Sequence, residues 1–315
     1  MLYFRVNYAT HWELVRFCEN KNIVKFLIDE VNDENTYLAR NSALRLLKYI
    51  NKYFIYEDEL ISIVSDLLEK DEDENIISMC LDIVTKTKLL EEKKVREVIE
   101  KYKNSDSDLI LVSVLKLINT YDFLDDYVSC ILFSLESALH SFVGFSDNGK
   151  VHLIDLDITL KEVIRKIKTE NSILTLLNWF AENQRNIHRD TFTGEILDHL
   201  ILASVVLFND GSRTIYDKVY HFFSGIYIDL YGKEYLRFLE FFIQTKTYLN
   251  LIDSILTWNG DNHIEFQKID ILYQLMKGSL FDEIFNVIYQ KFVNNDEIVK
   301  RNSTPLTSFS DFSKN

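Results

Sequence analysis

Residue types that could do chemistry are few in this chain and stand far apart. His188-Arg189-Asp190 spells the tripeptide of protein-kinase catalytic loops, in which the aspartate orients the attacking hydroxyl and an asparagine five residues on holds a metal ion. Here that later position is Glu195. No Gly-rich loop or strand lysine accompanies the tripeptide, and Asp311-Phe-Ser stands where Asp-Phe-Gly would be needed, so it reads as a polar turn between helices. Asp71-x-Asp73-x-Asn75 opens like a calcium loop, but Ile76 occupies the position where the sharp turn demands Gly, and Asp82 ends the loop inside a helical pattern. A helix cap accounts for these carboxylates. Asp155 and Asp157, with His152 and Lys161 nearby, would need a further carboxylate on an adjacent strand to form a metal-dependent hydrolytic site, and the chain offers no such sheet.

The seven histidines include no pair at the i, i+4 spacing of zinc proteases, and none neighbours a cysteine. Cys18, Cys80 and Cys130 lie far apart within apolar patterns and read as buried free thiols. No Gly-x-Ser-x-Gly elbow, phosphate-binding loop or dinucleotide fingerprint occurs. The expectation is therefore a non-enzyme with no catalytic residue, cofactor site or metal site.

Two stretches suit contact with a partner instead. Asp71, Glu72, Asp73 and Glu74 form an acidic ridge suited to a basic surface, although solvated turns are the favoured reading of such residues. Tyr216, Tyr220, Phe223 and Tyr227 belong to an aromatic span reaching Phe242; such a span lines interfaces, while the helical spacing of these residues also fits a core.

The elements that position these residues follow from composition. The chain has 315 residues, 47% of them hydrophobic, which is enough for a substantial core. Eight Gly and one Pro, with no Gly before Gly144, exclude folds built on many tight turns and make a mostly helical protein the expectation. With 35 Lys and Arg against 49 Asp and Glu, the net charge of −14 argues against a general binder of nucleic acid or anionic membrane. The longest apolar stretch, Leu200 to Phe208, is far short of the ~20 residues of a membrane helix, and no secretory signal is visible, so a cytoplasmic location is expected.

Apolar residues recur at three- and four-residue spacing in about sixteen segments. Leu60, Ile61, Val64, Leu67 and Leu68 share one face, as do Val95, Val98, Ile99 and Tyr102, then Ile269, Leu272, Tyr273 and Met276, then Phe281, Ile284, Phe285 and Ile288. Three segments align without gaps: Ser42 to Lys48, Met79 to Thr85 and Ser113 to Asn119, with central leucines Leu44, Leu81 and Leu115. An acidic cluster precedes each, at Asp33-Glu34-Asn35, Asp71 to Asn75 and Asp106-Ser107-Asp108, where it would cap an inner helix.

Tyr37-Leu-Ala-Arg-Asn-Ser-Ala-Leu-Arg-Leu-Leu47 resembles the inner-helix signature of the HEAT/armadillo class of helical repeats, and the resemblance covers roughly residues 20 to 140. The chain departs from that class in lacking Pro in the first helices and in having Arg only in the first unit. The resemblance implies a curved scaffold that binds other macromolecules. The expected fold is all-α: a HEAT-like α-solenoid of antiparallel helix pairs over residues 1–140, a short β-hairpin connector at 141–157, a second helical block at 158–294 and a loose tail at 295–315. The hairpin expectation rests on Ser141 to Phe145 and Val151 to Asp155 flanking the Asn148-Gly149 turn. The functional expectation is a non-catalytic protein-interaction adaptor, whose protein partner is a basic one on charge alone, with no nucleic acid and no membrane. Two alternatives stay open: an acidic inhibitor or immunity-type protein that neutralises a basic nuclease or toxin, and a HEAT-like nucleic-acid-processing enzyme, which the missing basic groove disfavours.

Overall fold

The computed structural model describes residues 20–32, 37–50, 56–71, 73–88, 90–143, 154–183, 191–229, 235–257, 262–277 and 281–294. Among the described residues there are fifteen helices and no strand. The chain divides into two compact units, Met1–Trp179 with Arg185–Ile196, and Phe180–Gln184 with Leu197–Asn315.

The first unit contains α1 (Lys21–Asn32), α2 (Tyr37–Leu47), α3 (Glu57–Lys70), α4 (Glu74–Thr87), α5 (Glu92–Tyr102), α6 (Asp108–Thr120), α7 (Val128–Val143), α8 (Ile154–Ile164) and most of α9 (Glu170–Glu182). Each even-numbered helix from α2 to α8 packs on the odd-numbered helix before it, and α2, α4, α6 and α8 also pack on one another in succession. Burial follows from that position. The outer helices α3 and α5 bury single stripes, Leu60, Val64 and Leu68 in one, Val95, Ile99 and Tyr102 in the other. The inner helices have neighbours on several sides, so α4 buries a nearly continuous run from Ile76 to Val84, and α6 does so from Ile110 to Ile118. Leu44, Leu81 and Leu115 are fully buried, one in each of three successive inner helices.

From α1 to α6, polar groups tie neighbouring pairs together at nearly constant sequence separation. The Lys25 ammonium donates to Glu59 at 2.8 Å, Tyr102 Oη donates to the Leu68 carbonyl at 2.6 Å, and the buried hydroxyls of Ser78 and Ser113 meet at 2.9 Å, with partners 34, 34 and 35 residues apart. Lys48 pairs with Asp82, which also accepts from Ser113 Oγ at 3.1 Å. Further along, Ser137 donates to Asp108 at 3.0 Å, and Thr169 and Ser172 both donate to Asp125. The scarcity of Gly is met at helix ends by Lys88, Asp122 and Lys246, which adopt φ of 52°, 59° and 57° in the left-handed region usually filled by Gly.

The second unit holds most of α10 (Thr191–Asn209), then α11 (Arg213–Asp229), α12 (Tyr235–Gln244), α13 (Tyr248–Thr257), α14 (Asn262–Met276) and α15 (Phe281–Asn294). Each helix from α11 to α14 packs on the next, and α13 also packs on α15.

Two expectations change. The hairpin at 141–157 is not formed by its expected strands: residues 141–143 continue α7 and 154–157 open α8, while the Asn148-Gly149 turn lies outside the described residues. Apolar residues at the end of α7 extend a helical period already running from Val128, and Asp155 and Asp157 suit the first turn of α8, where carboxylates meet the positive helix end. In α14, Ile269 and Tyr273 are 60% and 54% exposed, while Ile271, Leu272 and Leu275 are buried. Two apolar stripes overlap on this helix, and packing selects the one that contains Ile271. The tail expected at 295–315 lies outside the described residues.

Because Leu81 and Leu115 are enclosed by neighbouring helix pairs, Leu81→Ala and Leu115→Ala should each lower unfolding free energy by about 2–5 kcal/mol, measured by urea denaturation followed by circular dichroism.

Candidate interaction surface

The acidic turn between α3 and α4 is a junction of four chain segments. Asp71 ends α3; its backbone N–H donates to the Leu67 carbonyl at 2.8 Å, and its side chain accepts from the Asp73 N–H at 2.9 Å. Its other carboxylate oxygen lies 3.7 Å from the Arg40 guanidinium of α2. Asp73 caps α4 by accepting from the N–H groups of Asn75 and Ile76 at 3.0 and 3.1 Å, and the Tyr37 hydroxyl donates to it at 2.9 Å. Glu74 accepts from the Ser107 hydroxyl, at the start of α6, at 2.6 Å. Glu72 lies outside the described residues. Asp71, Asp73 and Glu74 thus already have partners within the chain, so reversing their charges would disturb helix caps and helix-pair seams along with any docking step.

Partial burial of Asp73 works against its charge, but the two backbone N–H groups and the Tyr37 hydroxyl outweigh it and hold the carboxyl below its ordinary pKa. A carboxyl lowered on folding stabilises above its unfolded pKa, about 4, and loses that contribution as pH falls through the folded value.

A groove of about 690 Å³ beside this turn is lined by Val31, Arg40, Glu59, Ile63, Asp66 and Lys70. Its carboxylates are matched by cations of the same chain, Glu59 by Lys25 and Asp66 by Lys70. The groove therefore offers little net charge to a ligand.

The aromatic span in the second unit is mainly core. Phe223 is fully buried and meets Phe242 edge-on at 5.5 Å, while Phe222 meets Phe238 at 4.9 Å and 89°. Tyr216 and Tyr220 are half-buried and stacked, with centroids 6.2 Å apart and planes at 10°. Burial pushes the Tyr216 phenol pKa up. Tyr227 belongs to α11, and its side chain lies outside the described residues.

Groups with chemical potential are placed as follows. His188, Arg189 and Asp190 lie outside the described residues, as do Cys18 and His152, and Glu195 pairs with Lys161 at 2.7 Å. Cys80 and Cys130 are free and buried; burial raises both thiol pKa values, that of Cys130 to about 12, which keeps them protonated. Among the described residues, no group of three or more His, Cys, Asp and Glu side chains could hold a metal ion, and no helix is long and apolar enough to cross a membrane.

One surface feature escaped the reading of net charge. Arg45 and Lys116 immediately follow the buried Leu44 and Leu115, and Lys86 lies five residues after Leu81; all three side chains are exposed on the inner helices. The gap-free alignment of the three segments contained this signal, because residues at equal offsets from the aligned leucines lie in one row across stacked helices. No family model, curated protein or solved structure matches the chain.

Asp73→Ala should cost about 1 kcal/mol at pH 7, and its difference from the wild type should shrink below pH ~4, as measured by urea titrations across pH. Phe223→Ala should cost about 3–5 kcal/mol in the same assay, as expected for a core residue.

Proposed function

We propose that the first unit is a HEAT-like α-solenoid and that the protein is a non-catalytic adaptor which presents this helical surface to a protein partner in the cytoplasm. The observation that carries the reading is the succession α2, α4, α6 and α8 packed side by side, with Lys48–Asp82 and Ser78–Ser113 tying the first three, and Lys25–Glu59 and Tyr102–Leu68 tying the helices paired with them, at separations near 34 residues. In such an arrangement each pair touches chiefly its neighbours, which leaves one side of every inner helix open along the array. Function then consists of holding side chains from several helices in fixed register, with no bond made or broken. The buried, protonated thiols of Cys80 and Cys130 suit a reducing compartment.

Affinity capture on the immobilised full chain from native cytosol tests the proposal. The expected result is a protein retained in stoichiometric amount, released by excess soluble chain and indifferent to nuclease. Retention of nucleic acid alone, or of no protein, would contradict it.

A further inference from the structure

We propose that the solvent-facing side of α2, α4 and α6 binds an acidic segment of a partner protein through Arg45, Lys86 and Lys116. The proposal rests on the adaptor reading for the existence of a partner and adds the chemistry of that partner.

The placement follows from the buried leucines. With Leu44, Leu81 and Leu115 fixed in successive inner helices, the next residues, Arg45, Asp82 and Lys116, form one row. One helical turn further on, Tyr49, Lys86 and Thr120 form a second row. The one carboxylate among these six positions, Asp82, is only 10% exposed; it pairs with Lys48 and accepts from Ser113, so its charge is matched locally. Lys86 Nζ donates to the Lys48 carbonyl at 3.0 Å, which satisfies a donor without neutralising the ammonium, and burial lowers its pKa.

Among the described residues, Arg45, Lys86 and Lys116 have no carboxylate partner, whereas Lys25, Arg40, Lys48, Lys70, Arg96 and Lys103 each have one. In a chain with 49 acidic and 35 basic residues, these three exposed cations on successive packed helices are ones for which no carboxylate of the described residues competes at salt-bridge distance.

Spacing and screening select the occupant. Packed helix axes lie about 8–10 Å apart, and a peptide in the polyproline II conformation advances about 3.1 Å per residue and returns to the same face at every third residue. A carboxylate at every third residue therefore keeps step with the rows from α2 to α6. Tyr49, about half exposed, supplies an apolar contact beside Arg45. At physiological salt the screening length is about 8 Å, so the protein's distant negative charge acts weakly on a short acidic segment while contacts at the row persist. A nucleic acid carries a charge on every nucleotide, a closer spacing than that of the rows, so most of its phosphates would lie without a cation.

The test uses the full chain and a fluorescent peptide with Glu at every third position and neutral residues between, read by anisotropy. The wild type should bind this peptide and should not bind the matched peptide with Lys in place of Glu. Arg45→Glu with Lys116→Glu should weaken binding at least about tenfold at unchanged melting temperature. The milder Lys86→Ala with Lys116→Ala should weaken it in the same direction and serves as the reading if the reversals destabilise the fold. Failure of the wild type to bind the acidic peptide, undiminished binding by both double variants, or tighter binding of a single-stranded oligonucleotide of equal charge would overturn the proposal. Undiminished retention of the captured cytosolic partner by the charge-reversed variant would also overturn it while leaving the adaptor reading standing, which separates the two failures.

Discussion

The buried hydrogen bond between Ser78 and Ser113 is the constraint on which the register of the first unit depends. Apolar burial alone lets two helices slide and rotate with modest cost, since Leu, Ile and Val tolerate several packings. A buried hydroxyl left without a partner costs about 1–3 kcal/mol. Joining the two serines therefore fixes α4 against α6 in one register, and in that register Ser113 Oγ also donates to Asp82 while Leu81 and Leu115 are buried. Polar ties elsewhere repeat the logic at each junction. Tyr102 anchors α5 to the end of α3, Ser137 joins α7 to α6, and Asp125 receives two hydroxyls from the start of α9.

This use of polar side chains explains why total charge is a poor guide to the inner face. Carboxylates of the chain cap helices and hold seams, as Asp73, Glu74, Asp82, Asp108 and Asp125 do, where each meets an N–H, a hydroxyl or an ammonium. Their negative charge counts fully in the sum of −14, but its local effect is offset by those partners. Arg45, Lys86 and Lys116 form no salt bridge among the described residues, so the sum over the whole chain does not describe the charge they present.

Much of the helical framework was legible in the sequence because it depends on short-range periodicity. The stripe Leu60, Val64 and Leu68 and the cap at Asp73 follow from spacing within a few turns, and the leucines Leu44, Leu81 and Leu115 from the likeness of their three segments. Other features required neighbours that local pattern does not contain. Residues 141–143 and 154–157 are short segments mixing apolar and polar residues that fit strand and helix alike, and only continuity with α7 and α8 decides between them. Ile269 and Leu272 both belong to apolar stripes of α14, and the partners α13 and α15 determine which one is buried. Of the candidate surface residues, Asp73 was readable as a cap. Its bond to Tyr37, 36 residues away, and that of Glu74 to Ser107, 33 residues away, depend on how pairs stack.

The most direct measurement of the stacking register is thiol titration after mild oxidation of a Ser78→Cys, Ser113→Cys variant. With the two side-chain oxygens 2.9 Å apart in the native protein, the double variant should lose two thiols per folded chain through an intramolecular disulfide, and each single variant should lose none. A folded double variant that retains both introduced thiols would contradict the register of α4 against α6 and, with it, the row in which their residues are placed.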